Sequence, residues 1–392
     1  MRIGIDGSCW NNNRGFGRFT RELLGELFKI DAGHSYHLLT DGPLPSADQG
    51  QMTDVHNIAA GKTVVESATA DGRRAIGDML AFRRTAARLR LDVLFYPAVY
   101  SWFPPPRRLP SAVTFHDAIA EHFPELVFPK ARHRAMWNAK TWLAKKTATR
   151  ILTVSEAARR EIVEYLHIPS GSIDVICEGA GAVFRPVSDH ATQQAVRSAM
   201  NIPGDGRFLI YVGGFAPHKN LERLLDGFAL ALREQGSEDL RLVMTGDPGG
   251  GGFHSNFAAL QQRSGAPDLR DRVHFTGYVS DPDLAALYSG ALALVFPSLS
   301  EGFGLPALEA MNCATPVLAA QDGAVMEVAG RSGLAFDPMR PDSIAGAITQ
   351  IATTPDLRDR LAGATAAEAA RNTWPKAAEL TLAALEHTAR GR

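Results

Sequence analysis

The chain has 392 residues, 45% of them hydrophobic and 21% charged, with a formal net charge of −1. That length suits two domains rather than one core, and the balanced charge argues against a dedicated nucleic-acid binder, which carries a clear basic excess. Lys and Arg outnumber Asp and Glu by 24 to 20 over residues 1–195 and are outnumbered 17 to 22 beyond, so the two halves are expected to meet different partners.

In chain order, Ile3–Ile5 reads as a first strand. A glycine-bearing loop follows, Asn11-Asn12-Asn13-Arg14-Gly15-Phe16-Gly17-Arg18, and then apolar residues at helical spacing from Phe19 to Ile30. Val93–Tyr96, Ala112–Phe115, Ile151–Val154 and Ile173–Cys177 are further strands. Lys130–Arg150 carries seven Lys/Arg and no acid, interleaved with Met136, Trp137, Trp142 and Leu143. It is either a basic amphipathic helix suited to an anionic membrane surface or a helix that buries its tryptophans. Ser188–Arg207 is polar and contains Pro203-Gly204-Asp205-Gly206, which places a domain boundary there. The rhythm restarts with Phe208–Val212, Leu240–Thr245, Val273–Phe275, Ala293–Phe296 and Pro316–Ala319. Strands alternating with helices predict an α/β protein with parallel sheets covered on both faces. The expected domains are 1–190 and 205–375.

Cys9, Cys177 and Cys313 are odd in number and far apart, so neither a disulfide framework nor a zinc site is expected, and a reducing, cytoplasmic setting fits. The opening Met1-Arg2-Ile3-Gly4-Ile5-Asp6 carries an acid at position 6 and no long apolar run, so it is not expected to act as a signal peptide. No apolar run reaches 18 residues.

In doubly wound sheets ligands collect beyond the carboxyl ends of the strands, and the chemistry-bearing strings fall there. The sharpest is Ser298-Leu-Ser-Glu301-Gly302-Phe303-Gly304-Leu305-Pro306-Ala307-Leu308-Glu309-Ala310-Met311. It follows a strand and opens a helix near Leu305, whose N-terminus favours an anion such as a diphosphate. Gly302 and Gly304 let backbone N–H groups approach a ligand, and Glu301 and Glu309 are acceptors for hydroxyls. The second string is Tyr211-Val-Gly213-Gly214-Phe215-Ala-Pro217-His218-Lys219-Asn220. A lysine at a helix start is misplaced for the macrodipole, which points to a functional ammonium that neutralises a leaving diphosphate. The third is Val113-Thr-Phe-His116-Asp117, with Asp117 expected to orient His116 or a cationic neighbour. The loop holding Gly15 and Gly17 is neither a P-loop nor a full G-x-G-x-x-G dinucleotide site. No zinc-type or Asp-x-Asp metal motif is evident.

Glu301 and Glu309 stand as E-x7-E in the context E-G-F-G-L-P-A-L-E-A-M, and the chain resembles the family-4 retaining glycosyltransferases of the GT-B fold over nearly its whole length. The resemblance implies two Rossmann-like domains facing a central cleft, with the segment 376–392 returning to the first domain as a helix. It implies a nucleotide-sugar donor, no cofactor and no metal. Glu309 would hold the ribose hydroxyls and Glu301 the transferred sugar. The Phe303 and Gly304 backbone, with Leu305 beside it, would meet sugar and diphosphate, and His116 would contact the transferred sugar. Gly15, Gly17, Gly214, Gly246 and Val279 would complete the donor pocket with Lys219. Gly214 stands where members often carry Arg, and Glu178 where many have Asn. The resemblance further implies a glycan or lipid-linked acceptor, with mannose from GDP-mannose favoured and UDP-hexoses open. The competing readings are a phosphorylase or epimerase on the same fold, and a catalytically silent nucleotide-sugar-binding subunit.

Overall fold

Short apolar runs form the strands because both faces of a parallel sheet are buried under helices. The computed structural model describes residues 1–12, 15–44, 54–58, 76–128, 130–203, 206–248 and 255–391. Asn13, Arg14, Gly204, Asp205 and the glycine run 249–252 lie outside the described residues. Two units are distinct. One comprises Met1–Pro124, Phe128–Gly179 and Thr373–Arg392, the other Glu125–Val127 and Ala180–Asn372.

The first unit carries a sheet of seven described strands: β1 (Arg2–Asp6), β2 (Ser35–Thr40), β3 (Asp54–Asn57), β4 (Val93–Tyr96), β5 (Ser111–Thr114), β6 (Arg150–Thr153) and β7 (Ile173–Val175). All pairs are parallel, in the order β3-β2-β1-β4-β5-β6-β7. Its helices are α1 (Gly15–Leu27), α2 (Ile76–Arg88), α3 (Ile119–His122), α4 (Pro124–Val127), α5 (Ala131–Thr147) and α6 (Glu156–Leu166). Of these, the last three residues of α4 group with the second unit. The returning helix α15 (Trp374–Arg390) packs on α1 and on β4, β5 and β6. Its start lies close against the chain at Gly179, where any side chain would overlap the Trp374 backbone.

The second unit carries β8 (Phe208–Val212), β9 (Arg241–Thr245), β10 (Val273–Gly277), β11 (Ala293–Phe296), β12 (Val317–Ala320) and β13 (Gly333–Phe336). They are again parallel, in the order β10-β9-β8-β11-β12-β13. Its helices are α7 (His190–Ala199), α8 (Leu221–Ala231), α9 (Phe257–Ser264), α10 (Asp281–Gly290), α11 (Leu305–Asn312), α12 (Ala324–Ala329), α13 (Pro341–Thr353) and α14 (Pro355–Ala369).

Three sequence expectations are corrected here. The division between units falls after Gly179 rather than within Ser188–Arg207. That stretch is polar because it holds α7, a mostly exposed helix that is N-capped by Asp189 and packs on α10 of the second unit. Gly15 and Gly17 do not lie in a loop but open α1, which ends at Leu27. Gly17 is buried, and a Cβ there would overlap the Asn12 carbonyl, so this glycine serves the tight strand-to-helix turn.

The second core depends on one close helix contact. Gly227 in α8 is an interior helix glycine, which is intrinsically unfavourable relative to Ala by about 0.5–1 kcal/mol. A Cβ at Gly227 would sit 2.8 Å from Ile344 Cβ and 2.9 Å from the Pro341 carbonyl at the start of α13. We expect Gly227→Ala to lower the stability of the second unit by about 1–3 kcal/mol, overpacking outweighing the helix-propensity gain. Urea unfolding checks this, and a stabilised variant would show that the two helices can separate without cost.

Candidate functional site

The second sheet reverses its strand order between β8 and β11, so the loops after these two neighbours diverge and leave a crevice. Each loop supplies one charge. Lys219 ends a single 3-10 turn, Pro217–Lys219, after β8, and Glu301 follows β11. Lys219 Nζ donates to Glu301 Oε1 at 2.5 Å, and the two side chains are only 17% and 13% exposed. Burial works against a charged Glu301, but the Lys219 ammonium, through its charge and its hydrogen bond, outweighs it and holds the carboxyl below its ordinary range. Burial, reinforced by Lys219, pushes His218 down to about 4, so its ring is neutral near pH 7. His218 Nδ1 is buried without a hydrogen-bond partner among the described residues.

The two loops are stitched together by neutral hydrogen bonds. Leu299 N–H donates to the His218 carbonyl at 2.9 Å. Buried Asn220 donates through Nδ2 to the carbonyls of Pro297 (3.1 Å) and Pro338 (2.7 Å). Its φ of 59° is left-handed, a conformation Asn tolerates better than most residues. Asn220 thereby sets where the Lys219 side chain starts. Sequence reasoning quoted this residue without assigning it a role.

Gly304 caps α11 with φ of 99°, and a Cβ would lie 2.8 Å from Val325 Cγ2, so glycine is required twice over. Leu305 is the first residue of α11, while the Phe303 ring is buried. Glu309 sits one turn into the same helix, buried, and its Oε2 accepts from Tyr288 Oη at 3.4 Å. Gly246 follows β9 and lies hard against Gly213, just past β8, where a side chain would overlap the Gly213 carbonyl. Gly214 is exposed, with open space around the position of a Cβ. Val279 is buried, next to the exposed Tyr278, in the turn from β10 to α10. Lys219 and Glu301 thus meet between the loops after β8 and β11, Gly304 and Leu305 follow at the start of α11, and Glu309 is turned toward Tyr288.

The first unit holds its own cluster at the analogous reversal, between β1 and β4. Buried His116, just beyond β5, donates through Nε2 to the Pro97 carbonyl at 3.0 Å. Phe16 and Phe19 meet its ring edge-on, with centroids 5.1 and 4.5 Å away. Asp117, next in the chain, accepts from the Ile119 N–H at 3.0 Å at the start of α3, and another carboxylate lies at the ring. Glu178 stands there, its Oε1 3.5 Å from His116 Nδ1. Glu178 arrives from beyond β7. Burial pushes Glu121 up to about 7, although Trp137 Nε1 donates to it at 2.8 Å and opposes the shift. Tyr100 bridges Phe16 and Trp137, with centroids 4.4 and 4.9 Å away. Sequence reasoning marked Glu178 only as a departure from the family's Asn, without a role, and did not mark Glu121, because their partners are remote in sequence.

Two family models divide the chain between them: "Glycosyltransferase Family 4" matches residues 13–180 and "Glycosyl transferases group 1" matches residues 174–367. O-antigen chain mannosyltransferase B of Escherichia coli is 30% identical over 322 residues, covering 78% of this chain and 82% of that protein. D-inositol 3-phosphate glycosyltransferase of Thermobispora bispora is 32% identical over 247 residues, but the match spans 61% of this chain and only 56% of that protein. Anabaena HepE, solved in complex with UDP-glucose, shares the fold with a TM-score of 0.72 at 17% identity, over 98% of this chain and 100% of its own. With both family models, a relative matched over most of its length and two parallel Rossmann-like sheets in agreement, the chain belongs to the family-4 glycosyltransferases of the GT-B fold.

Proposed function

We propose that this glycosyltransferase moves a hexosyl group, mannose from GDP-mannose in preference to a UDP-hexose, onto a glycan or lipid-linked acceptor. The setting would be surface polysaccharide or glycolipid synthesis on the cytoplasmic side. The observation that carries the reading is the Lys219–Glu301 pair at the strand-order reversal, beside the glycine turn that opens α11. Similarity to an O-antigen mannosyltransferase favours mannose. The UDP-glucose bound by HepE supports a nucleotide-sugar donor and keeps uridine donors open.

In this reading the donor diphosphate takes Glu301's place at Lys219. The ammonium and the first N–H groups of α11 then stabilise the charge that builds as the sugar–phosphate bond breaks. Glu301, released, accepts from a hydroxyl of the transferred sugar, and Glu309 accepts from the ribose. The bond from the anomeric carbon to the phosphate oxygen breaks, and the bond to the acceptor oxygen forms on the same face. The acceptor's proton passes to the departing phosphate oxygen, so configuration is retained. Lys219 supplies the charge that a metal ion provides elsewhere, and no metal is required. His116, held by Pro97 and Glu178, contacts the transferred sugar.

Nucleotide release measured across GDP-, UDP- and ADP-sugars tests this. Release is expected from GDP-mannose, unaffected by EDTA, and reduced at least ~100-fold by Lys219→Ala, the scale of losing one transition-state charge contact. Glu309→Ala should weaken donor binding. Full release in both variants, or no donor binding by the parent protein, would overturn the reading.

Helix α5 supports a peripheral membrane contact as part of the same proposal. Trp137 is tied to Glu121, but Trp142 is 54% exposed, and Met136 and Leu143 lie on one line of the helix, partly exposed. Arg132, Arg134, Lys145 and Lys146 flank them. No helix among the described residues is long and apolar enough to cross a membrane. Sedimentation with vesicles containing anionic lipid should show salt-sensitive binding, weakened by Trp142→Ala. No binding at low salt would contradict it.

A further inference from the structure

The edge of the first sheet carries a side-chain cluster that the glycosyl-transfer reading does not use. β3 has the sequence Asp-Val-His-Asn, poor in strand-forming residues, and it lies at the end of the sheet. Val55, its one apolar residue, is 40% exposed, so burial does little to hold the strand. Register explains what the sequence serves. His37 of β2 pairs with Asp54, and Leu39 pairs with His56. Side chains alternate along a strand, so His37, Asp54 and His56 all project from the same face.

They converge on one point. His37 Nδ1 lies 3.2 Å from Asp54 Oδ2 and 3.4 Å from His56 Nε2. One ligand atom from each residue lies within 4.8 Å of the other two, the sole such trio of His, Cys, Asp or Glu among the described residues. Ligands bound tetrahedrally to zinc at about 2.0–2.1 Å stand about 3.3–3.4 Å apart, close to the two separations measured from His37. A hydrogen-bonded cluster fits less well. His37 Nδ1 has one site, either a proton to give or a lone pair to accept with, so only one of its two neighbours can be its hydrogen-bond partner. The far nitrogen, His37 Nε2, lies 3.5 Å from Ser35 Oγ, the outer contact that fixes the ring orientation of a metal-binding histidine. His37 is buried and Asp54 exposed, so an ion would be gripped from below while its fourth position opened to water. Arg2, on the neighbouring strand β1, opposes a cation. Its charge acts on His37 more strongly than the Asp54 carboxylate does, although its Nε is engaged by the Leu89 carbonyl, so an ion must bind against that charge.

We propose that His37, Asp54 and His56 bind a divalent transition-metal ion of the zinc type, which clips the polar edge strand β3 to β2. Two imidazoles and one carboxylate suit zinc and exclude magnesium or calcium, which take oxygen ligands. The site departs from the sequence expectation of no metal because His37 lies 19 residues from His56 and only strand register brings it to the Asp54–His56 pair. It stands apart from donor chemistry, so its loss leaves nucleotide release intact.

Zinc titration of tag-free full-length protein by calorimetry, with Mg2+ as the control ion, tests the proposal. One equivalent of Zn2+ should bind, with affinity at least about tenfold weaker in Asp54→Asn and weaker still in His56→Gln. Asp54 is exposed, so its variant retains the fold. Saturating Zn2+ should also raise the melting temperature of the parent protein and not that of His56→Gln. Equal zinc affinity in parent and variants would place the ion elsewhere and overturn the proposal. Absence of saturable binding would leave the trio a hydrogen-bonded cluster and overturn it too.

Discussion

Placing a positive and a negative side chain together at the mouth of a sheet is the constraint around which the second unit is arranged. Lys219 and Glu301 are both largely withdrawn from water, and a buried charge without its partner costs about 3–5 kcal/mol. The pair therefore holds only while the two loops stay in register. Asn220 and the Leu299–His218 hydrogen bond keep that register with neutral groups that neither substrate charge nor salt would disturb. The glycines act at the same place. Gly246 lets β9 approach β8, and Gly304 turns the chain into α11 at an angle no other residue permits.

The same economy governs the first unit. His116 is fixed on three sides, by the Pro97 carbonyl, by Glu178 and by the edges of Phe16 and Phe19. Phe19 also meets Trp374 of the returning helix, 5.9 Å between centroids. The helix thus supports the histidine through one aromatic ring, and its close approach at Gly179 follows from the same packing. Tyr100, raised well above its ordinary range by burial and by Asp117 and Glu121, remains a neutral phenol in this cluster.

Much of the fold was legible because buried parallel strands are written as continuous apolar runs. Val93–Tyr96, Phe208–Val212 and Ala293–Phe296 coincide with β4, β8 and β11. The strands missed were β2, β3 and β13. Ser35–Thr40 and Asp54–Asn57 carry histidines and other polar groups, and Gly333–Phe336 opens on a glycine, so none shows a sustained apolar run. For the site, Lys219 and Glu301 were legible as separate strings, each behind a strand. Their pairing was not, since 82 residues separate them and only the strand order brings them together. Glu178, Asn220 and Glu121 act through partners that no local pattern names. Gly15 and Gly17 were misplaced because a glycine-rich string reads as a loop, although Phe16 and Phe19 already commit the chain to α1.

The central claim is that Lys219 is held by Glu301 until a donor diphosphate takes it over. A crystal structure of the protein with a bound nucleoside diphosphate measures this directly. The account predicts Lys219 Nζ within about 3 Å of a phosphate oxygen and the Glu301 carboxylate turned toward the place of the sugar. A diphosphate bound elsewhere, with the Lys219–Glu301 pair unbroken, would contradict it.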